Sequence, residues 1–123
     1  MSKSCPDLVT MLSQLIASPS VSCTQPDWDQ SNLPVIELLE GWLSHLGFDT
    51  EVMPIAGRPG KANLIATLGK GPGGLVLSGH TDTVPFNAQR WQSDPFKLTE
   101  KENRFYGLGT CDMKGFFAFI LQV

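Results

Sequence analysis

A short apolar run, Leu75-Val76-Leu77-Ser78, places the strongest constraint on how this chain folds. Turn-forming residues flank it, with glycines and a proline before it and Gly79 after it. Such a run is typical of a central strand that other layers cover on both faces. We therefore expect an α/β fold in which a strand at about residues 75–79 lies inside a sheet.

Two helices and two further strands are predicted before this run. Apolar residues recur at helical spacing over about 7–17 and about 33–46, which predicts two amphipathic helices. Ser31 or Asn32 is expected to cap the second helix, and Gly47 is expected to end it. Strand-like patterns follow at about 48–53 and 63–68, and the helices are expected to pack against the resulting sheet.

The last third of the chain predicts a hairpin and a buried helix. Residues 98–106 are expected to fold back around Glu102-Asn103. Residues 116–123 are apolar on nearly every side, which predicts a helix buried all round. This helix carries no C-terminal stop signal, so we expect the chain to be the front portion of a longer protein.

Composition excludes several classes of protein. The chain is 41% hydrophobic and 17% charged, with a formal net charge of −3 and no basic patch, which argues against disorder and against a nucleic-acid partner. The first residues lack the apolar run of a signal peptide, and no apolar run reaches the about 18 residues of a membrane helix. Three cysteines without metal-type spacing are typical of cytosolic thiols, so we expect a cytoplasmic protein without membrane contact.

His80 and Asp82 follow directly on the predicted central strand. Open α/β sheets place their ligand sites at the carboxyl ends of such strands. In extended backbone, residues two apart point the same way, so an imidazole and a carboxylate share one side. An imidazole binds zinc well, and a carboxylate nearby either ligates too or fixes its tautomer. The alternative is a solvated turn in which both residues are incidental.

Asp112 lies in a glycine-flanked loop, residues 107–115, just before the last predicted helix. A carboxylate can bridge two metal ions, as in two-metal hydrolases. The alternative is that Asp112 caps the helix. For Cys111 we expect a buried, inert thiol, and for Trp28, Trp42 and Trp91 packing roles.

The glycine run 69–74 raises the question of a phosphate-binding loop. It lacks the Gly-Lys-Ser/Thr ending and a helix after it, so a flexible hairpin turn is favoured. A flavodoxin-like nucleotide binder is disfavoured for the same reason.

Several blocks in order resemble the M20 family of zinc-dependent amidohydrolases and peptidases. They are Ser78–Pro85, Trp91, Asp94–Phe96, Tyr106–Gly109 and Asp112–Gly115. The resemblance implies that residues 1–123 form the N-terminal segment of a three-layer, mixed-sheet catalytic domain. It also implies that the rest of that domain, and a lid and dimerisation domain, lie outside this chain.

The resemblance further implies a role for each site residue. His80 would ligate one zinc ion and Asp112 would bridge two, with cobalt as a possible substitute metal. Asp82 would be the catalytic carboxylate that orients His80. The Asp112–Met113 peptide bond is expected to be cis. The general-base glutamate and the remaining zinc ligands are expected beyond residue 123.

The implied function is hydrolysis of the acetyl amide of N2-acetylornithine to ornithine and acetate, a step of arginine biosynthesis. The substrate class is a small N-acyl amino acid, and the parent protein is expected to be a homodimer. The isolated chain is expected to be inactive. Two alternatives stay open: another amidohydrolase of this family, acting on succinyl-diaminopimelate, other N-acyl amino acids or peptides, or a non-catalytic binding fragment.

Overall fold

The computed structural model describes residues 5–122 and shows a mixed α/β arrangement, so the predicted fold class is confirmed. Residues 1–4 and Val123 lie outside the described residues. The prediction that the chain begins without a signal peptide concerns this N-terminal segment. The helices and strands are α1 (Leu8–Ile16), α2 (Leu33–His45), β1 (Asp49–Pro54), β2 (Ala62–Thr67), β3 (Thr99–Lys101), β4 (Arg104–Tyr106) and α3 (Lys114–Ile120), with a 3-10 turn at Ala88–Arg90.

The core forms around α1, which packs against both α2 and α3. Its apolar stripe is fully buried because one face of the helix contacts the other two helices. The buried residues of this core are Met11, Leu12, Leu15, Ile16, Val35, Leu39, Trp42 and Ala118. The helix begins at Asp7, whose carboxylate accepts a hydrogen bond from the Thr10 amide at 2.9 Å.

The end of α2, the first two strands and the hairpin at 98–106 follow the sequence prediction closely. Gly47 takes a φ of 90° after α2, which a glycine adopts without strain. β1 and β2 pair antiparallel from Asp49–Thr67 to Pro54–Ala62. β3 and β4 pair around Glu102 and Asn103, which both have positive φ, the conformation a two-residue hairpin turn requires.

The predicted strand at residues 75–79 is wrong. Within residues 5–122 this segment pairs with no strand, and β2 pairs with β1 alone. Leu75 is 84% exposed and Val76 is 88% exposed. A central strand needs a neighbour on each edge and a layer on each face, and the described part of the chain supplies neither. The glycine run 69–74 therefore does not form the predicted hairpin turn.

The last helix is also less buried than predicted. Lys114, Gly115 and Ala118 are buried on the face of α3 that contacts α1, whereas Phe119 on another face is 53% exposed. An apolar sequence buries all its faces only when elements surround it, and here α1 covers one face. None of the helices within residues 5–122 has the length and apolar character needed to cross a bilayer.

We predict that Gly115→Ala destabilises the protein strongly. A Cβ at this position would overlap the Thr110 carbonyl group, which is backbone and cannot rotate away. The free energy of unfolding should fall by about 2 kcal/mol or more, measured by chemical denaturation. The matched control is Gly41→Ala at an exposed position of α2, where a Cβ meets nothing within 4 Å. In that variant the free energy of unfolding should rise by about 1 kcal/mol. Equal effects of the two variants would contradict the close packing assigned to Gly115.

Candidate metal centre

His80, Asp82 and Asp112 lie together in one cluster. His80 Nε2 is 2.9 Å from Asp112 Oδ1, although the two residues are 32 positions apart. His80 Nδ1 is 3.0 Å from the Asp82 carbonyl oxygen and 3.1 Å from Asp82 Oδ1. The structure thus brings together the three residues that the sequence singled out, and their role toward a metal stays a prediction.

The segment after α1 positions His80 and Asp82. The buried Ser20 hydroxyl donates to the Thr81 carbonyl at 2.7 Å, and the Thr83 amide donates to the Ser20 carbonyl at 3.0 Å. The Ser22 amide donates to the Thr83 carbonyl at 2.8 Å, and Val21 and Thr83 form an isolated parallel bridge. These bonds hold the backbone on both sides of Asp82. Nothing in the residue pattern around Ser20 indicated this role.

Asn32 is a second support, and the sequence predicted only part of its role. It occupies the N-cap of α2 as expected, but its side chain makes no cap bond, and Ser31 Oγ accepts the Leu33 amide. The Asn32 side chain is buried, and its amide nitrogen donates to the Ala62 carbonyl at 2.8 Å and to Thr81 Oγ1 at 2.9 Å. Its oxygen accepts the Ala62 amide at 3.0 Å. One side chain therefore joins α2, β2 and the Thr81 segment.

The loop between residues 22 and 30 borders the same region and is pinned at both ends. Asp29 Oδ1 accepts hydrogen bonds from the Cys23 amide and from Lys61 Nζ, both at 2.9 Å. The Gln30 side chain accepts the Val21 amide at 2.8 Å, and the Gln30 amide donates to the Val21 carbonyl at 2.7 Å. The loop is therefore closed on itself and tied to the start of β2.

The loop that carries Asp112 is held by close packing. A Cβ at Gly107 would come within 2.8 Å of Ile16, and a Cβ at Gly109 within 2.9 Å of Lys114 Cε. Lys114 is fully buried, its Nζ donates to the Ser18 carbonyl at 2.9 Å, and burial lowers its pKa to about 8. The Asp112–Met113 peptide bond is cis, as the family resemblance implied.

The alternative interpretation of Asp112 as a helix cap is wrong. Met113 occupies the N-cap position of α3 and makes no side-chain cap bond. The Asp112 carboxylate instead contacts His80 and is 81% exposed. Cys111 is exposed rather than buried, which also differs from the prediction. The loop bends away from the core at these two residues, and so their side chains face solvent.

The electrostatic setting of His80 follows from its two carboxylate neighbours. Partial burial by itself lowers the pKa of His80. The hydrogen bonds to the Asp82 backbone carbonyl and the Asp112 carboxylate, and the negative charges of both side chains, outweigh burial and raise the pKa. The protonated ring donates from both nitrogens at once, which matches the two short contacts. When Nε2 loses its proton, Asp82 still holds the Nδ1 proton and leaves the Nε2 lone pair facing Asp112.

The ligand types in this cluster suit zinc, but there are too few ligands for a complete zinc site. An imidazole nitrogen and a carboxylate oxygen on one exposed side are ligands that zinc accepts. Within residues 5–122, however, no three His, Cys, Asp or Glu side chains come together as a set that could hold a metal. Catalytic zinc sites take about three protein ligands. The described residues therefore fit one side of a zinc centre.

Known proteins resemble this chain over nearly its whole length. Residues 76–123, which contain all three site residues, match the model of Peptidase family M20/M25/M40. The chain is 62% identical over 120 residues to an acetylornithine deacetylase of Pasteurella multocida, a match that covers 98% of this chain and 31% of that protein. It is 58% identical over 117 residues to the acetylornithine deacetylase of Proteus mirabilis, with 95% of this chain and 30% of that protein covered.

Two conclusions follow from these matches. The resemblance to family M20 is confirmed. The chain spans about 30% of the length of the curated relatives it matches.

We predict that Asn32→Ala lowers the free energy of unfolding by about 1–3 kcal/mol, because the buried polar groups of Ala62 would lose their partner. Chemical denaturation measures the change. The matched control is Asn63→Ala. Asn63 follows Ala62 in β2, and its side chain is exposed. This variant should change the free energy of unfolding by less than about 0.5 kcal/mol. A loss at Asn63 as large as that at Asn32 would contradict the assigned role.

A pH dependence is expected from Asp29. Its hydrogen bond from the Cys23 amide, and then that from Lys61, hold the pKa of its carboxyl below the ordinary value. A lowered folded pKa stabilises the protein above the unfolded pKa of about 4, and this contribution is lost as the pH falls through the folded pKa. The stability difference between wild type and Asp29→Asn should therefore shrink below about pH 4. Asp49→Asn, at an exposed carboxylate, is the control, and the same shrinkage there would contradict the prediction.

Proposed function

Because the segment that matches family M20 also carries the clustered His80, Asp82 and Asp112, we propose that this chain supplies one side of a two-zinc centre. The enzyme to which it contributes hydrolyses the acetyl amide of N2-acetylornithine to ornithine and acetate. This assignment draws on the activity after which the relatives are named. The observation that carries it is the 2.9 Å approach of His80 Nε2 to Asp112 Oδ1.

The proposal extends to the setting of the chain. Residues 1–123 act as the N-terminal segment of the catalytic domain, and further polypeptide supplies the remaining ligands, the general base and a lid through which the enzyme forms a homodimer. Support comes from the share of the relatives that the chain spans and from the uncovered apolar segment at residues 75–77. The reaction serves arginine biosynthesis in the cytoplasm.

His80 Nε2 and the Asp112 carboxylate would hold the metal. Zinc, or cobalt in its place, supplies a Lewis acid that polarises the scissile carbonyl group. The Asp82 carbonyl oxygen accepts a hydrogen bond from His80 Nδ1–H, and the Asp82 carboxylate lies 3.1 Å from the same nitrogen. Together they favour the tautomer with a free Nε2 lone pair and would make that nitrogen a better ligand. Asp112 has a second carboxylate oxygen, and it is exposed enough to reach a second ion. His80 and Asp112 would therefore bind the metal, and Asp82 would orient His80. Another residue would carry out the proton transfer.

Metal binding by the chain itself is the first test. Calorimetric titration with zinc should show weak binding, which His80→Ala and Asp112→Ala each weaken by about tenfold or more, since each removes one of only two ligands. His45→Ala, at an exposed histidine on α2, is the matched control and should leave binding unchanged. Circular dichroism checks that each variant is folded. If His80→Ala and His45→Ala bind zinc equally, the proposed centre is wrong.

Activity is the second test, on the longer polypeptide and on residues 1–123 alone. The longer polypeptide should release acetate from N2-acetylornithine, and the isolated chain should not. Asp82→Asn should lower kcat/KM by about 10- to 100-fold, the usual loss when a residue that orients a metal ligand is changed. A preference for succinyl-diaminopimelate would reassign the substrate within the family. An unchanged rate in His80→Ala would overturn the enzymatic proposal.

A further inference from the structure

A cavity of about 390 Å³ adjoins the segment that carries Asp82. Asp27 and Trp28 line it from one loop, and Pro85, Phe86 and Ala88 line it from another. Val21, which also lines it, bridges Thr83 next to Asp82. The cavity therefore borders the backbone next to Asp82, and its volume suits a small organic molecule.

Both walls of the cavity are firmly held. The loop with Asp27 and Trp28 is closed by the bonds of Asp29 and Gln30 described above, and the Trp28 amide donates to the Gln25 carbonyl at 3.0 Å. On the other wall, the ring of Phe86 packs edge-on against Phe96 with ring centroids 5.1 Å apart. A ligand would therefore meet a largely preformed surface, which limits the entropy lost on binding.

The lining has a specific chemical character. Trp28 is 58% exposed, so the packing role expected from the sequence is wrong for this residue. Among residues 5–122 the ion pairs join Lys61 to Asp29 and His80 to Asp82 and Asp112, which leaves the exposed Asp27 carboxylate without a cationic partner. An uncompensated carboxylate beside aromatic rings is the combination that recognises an organic ammonium group.

We propose that this cavity binds the side-chain ammonium group of the substrate, with Asp27 and Trp28 as specificity-determining residues. The inference rests on the proposed function, which it deepens: the enzyme selects N-acyl amino acids that carry a cationic side chain. Asp27 pairs with the ammonium, the Trp28 ring offers its face to the same charge, and the methylene stem packs against Pro85 and Phe86. A neutral side chain leaves the carboxylate unpaired.

The kinetic test compares two substrates of equal carbon skeleton in the longer polypeptide, N2-acetylornithine and N-acetylnorvaline, whose side chain is uncharged. Asp27→Asn and Trp28→Ala should each raise KM for N2-acetylornithine by roughly three- to tenfold, because an exposed ion pair and a cation–π contact each contribute modestly. The kcat value should change little, and the rise in KM for N-acetylnorvaline should be clearly smaller than that for N2-acetylornithine. Trp28→Phe should restore most of the loss, and Asp49→Asn is the matched carboxylate control.

A binding test uses residues 1–123 directly. In an NMR titration with N2-acetylornithine, the indole N–H signal of Trp28 should shift with added ligand, while that of the buried Trp42 should stay in place. N-acetylnorvaline should produce a much smaller shift, and Asp27→Asn should abolish the difference between the two ligands.

The outcomes separate this inference from the proposed function. If the variants hydrolyse both substrates with equal losses, or if both ligands shift Trp28 alike, the ammonium site is wrong although the deacetylase activity stands. If the wild-type enzyme hydrolyses neither substrate, the proposed function fails. The NMR titration of Trp28 would still show whether the cavity binds the ammonium group, because this measurement does not require catalysis.

Discussion

The five residues that follow α1 hold both halves of the candidate site. The Ser18 carbonyl accepts the ammonium group of buried Lys114, which fixes the loop of Asp112. Ser20 bonds to the backbone on both sides of Asp82. Two loops that are distant in sequence converge because they share this one short anchor. Ser20 and Val21 of this anchor are buried, where a lost hydrogen bond is costly and the geometry is therefore well defined.

The same constraint explains why an exposed cluster keeps its arrangement. His80 and Asp112 face solvent, where an ion pair between mobile side chains contributes little to stability. Their approach depends on the backbone beneath them, with Asn32 supporting Thr81 from below and tight glycine contacts shaping the other loop. The site thus has buried supports and an open surface, as a ligand-binding site requires.

Local patterns predicted the local structure well. The helices, the end of α2 at Gly47 and the hairpin around Glu102 depend on side-chain period and turn chemistry within a few residues, and the structure has all of them. The strand at 75–79 and the all-round burial of α3 depend on neighbours far along the chain, and both predictions were wrong. An apolar sequence indicates that a segment can be buried. Whether it is buried depends on another helix or strand that covers it.

For the site, the sequence by itself determined the chemistry: an imidazole, two carboxylates and the glycines of the Asp112 loop, in an order that resembles family M20. Only the tertiary structure decided that Asp112 faces His80 rather than capping α3, that Asn32 supports Thr81, and that Trp28 is exposed beside a cavity. The physical reason is that the reactive groups are covalent properties of the chain. Their distances, in contrast, arise from hydrogen bonds between segments up to 96 residues apart, which no local pattern encodes.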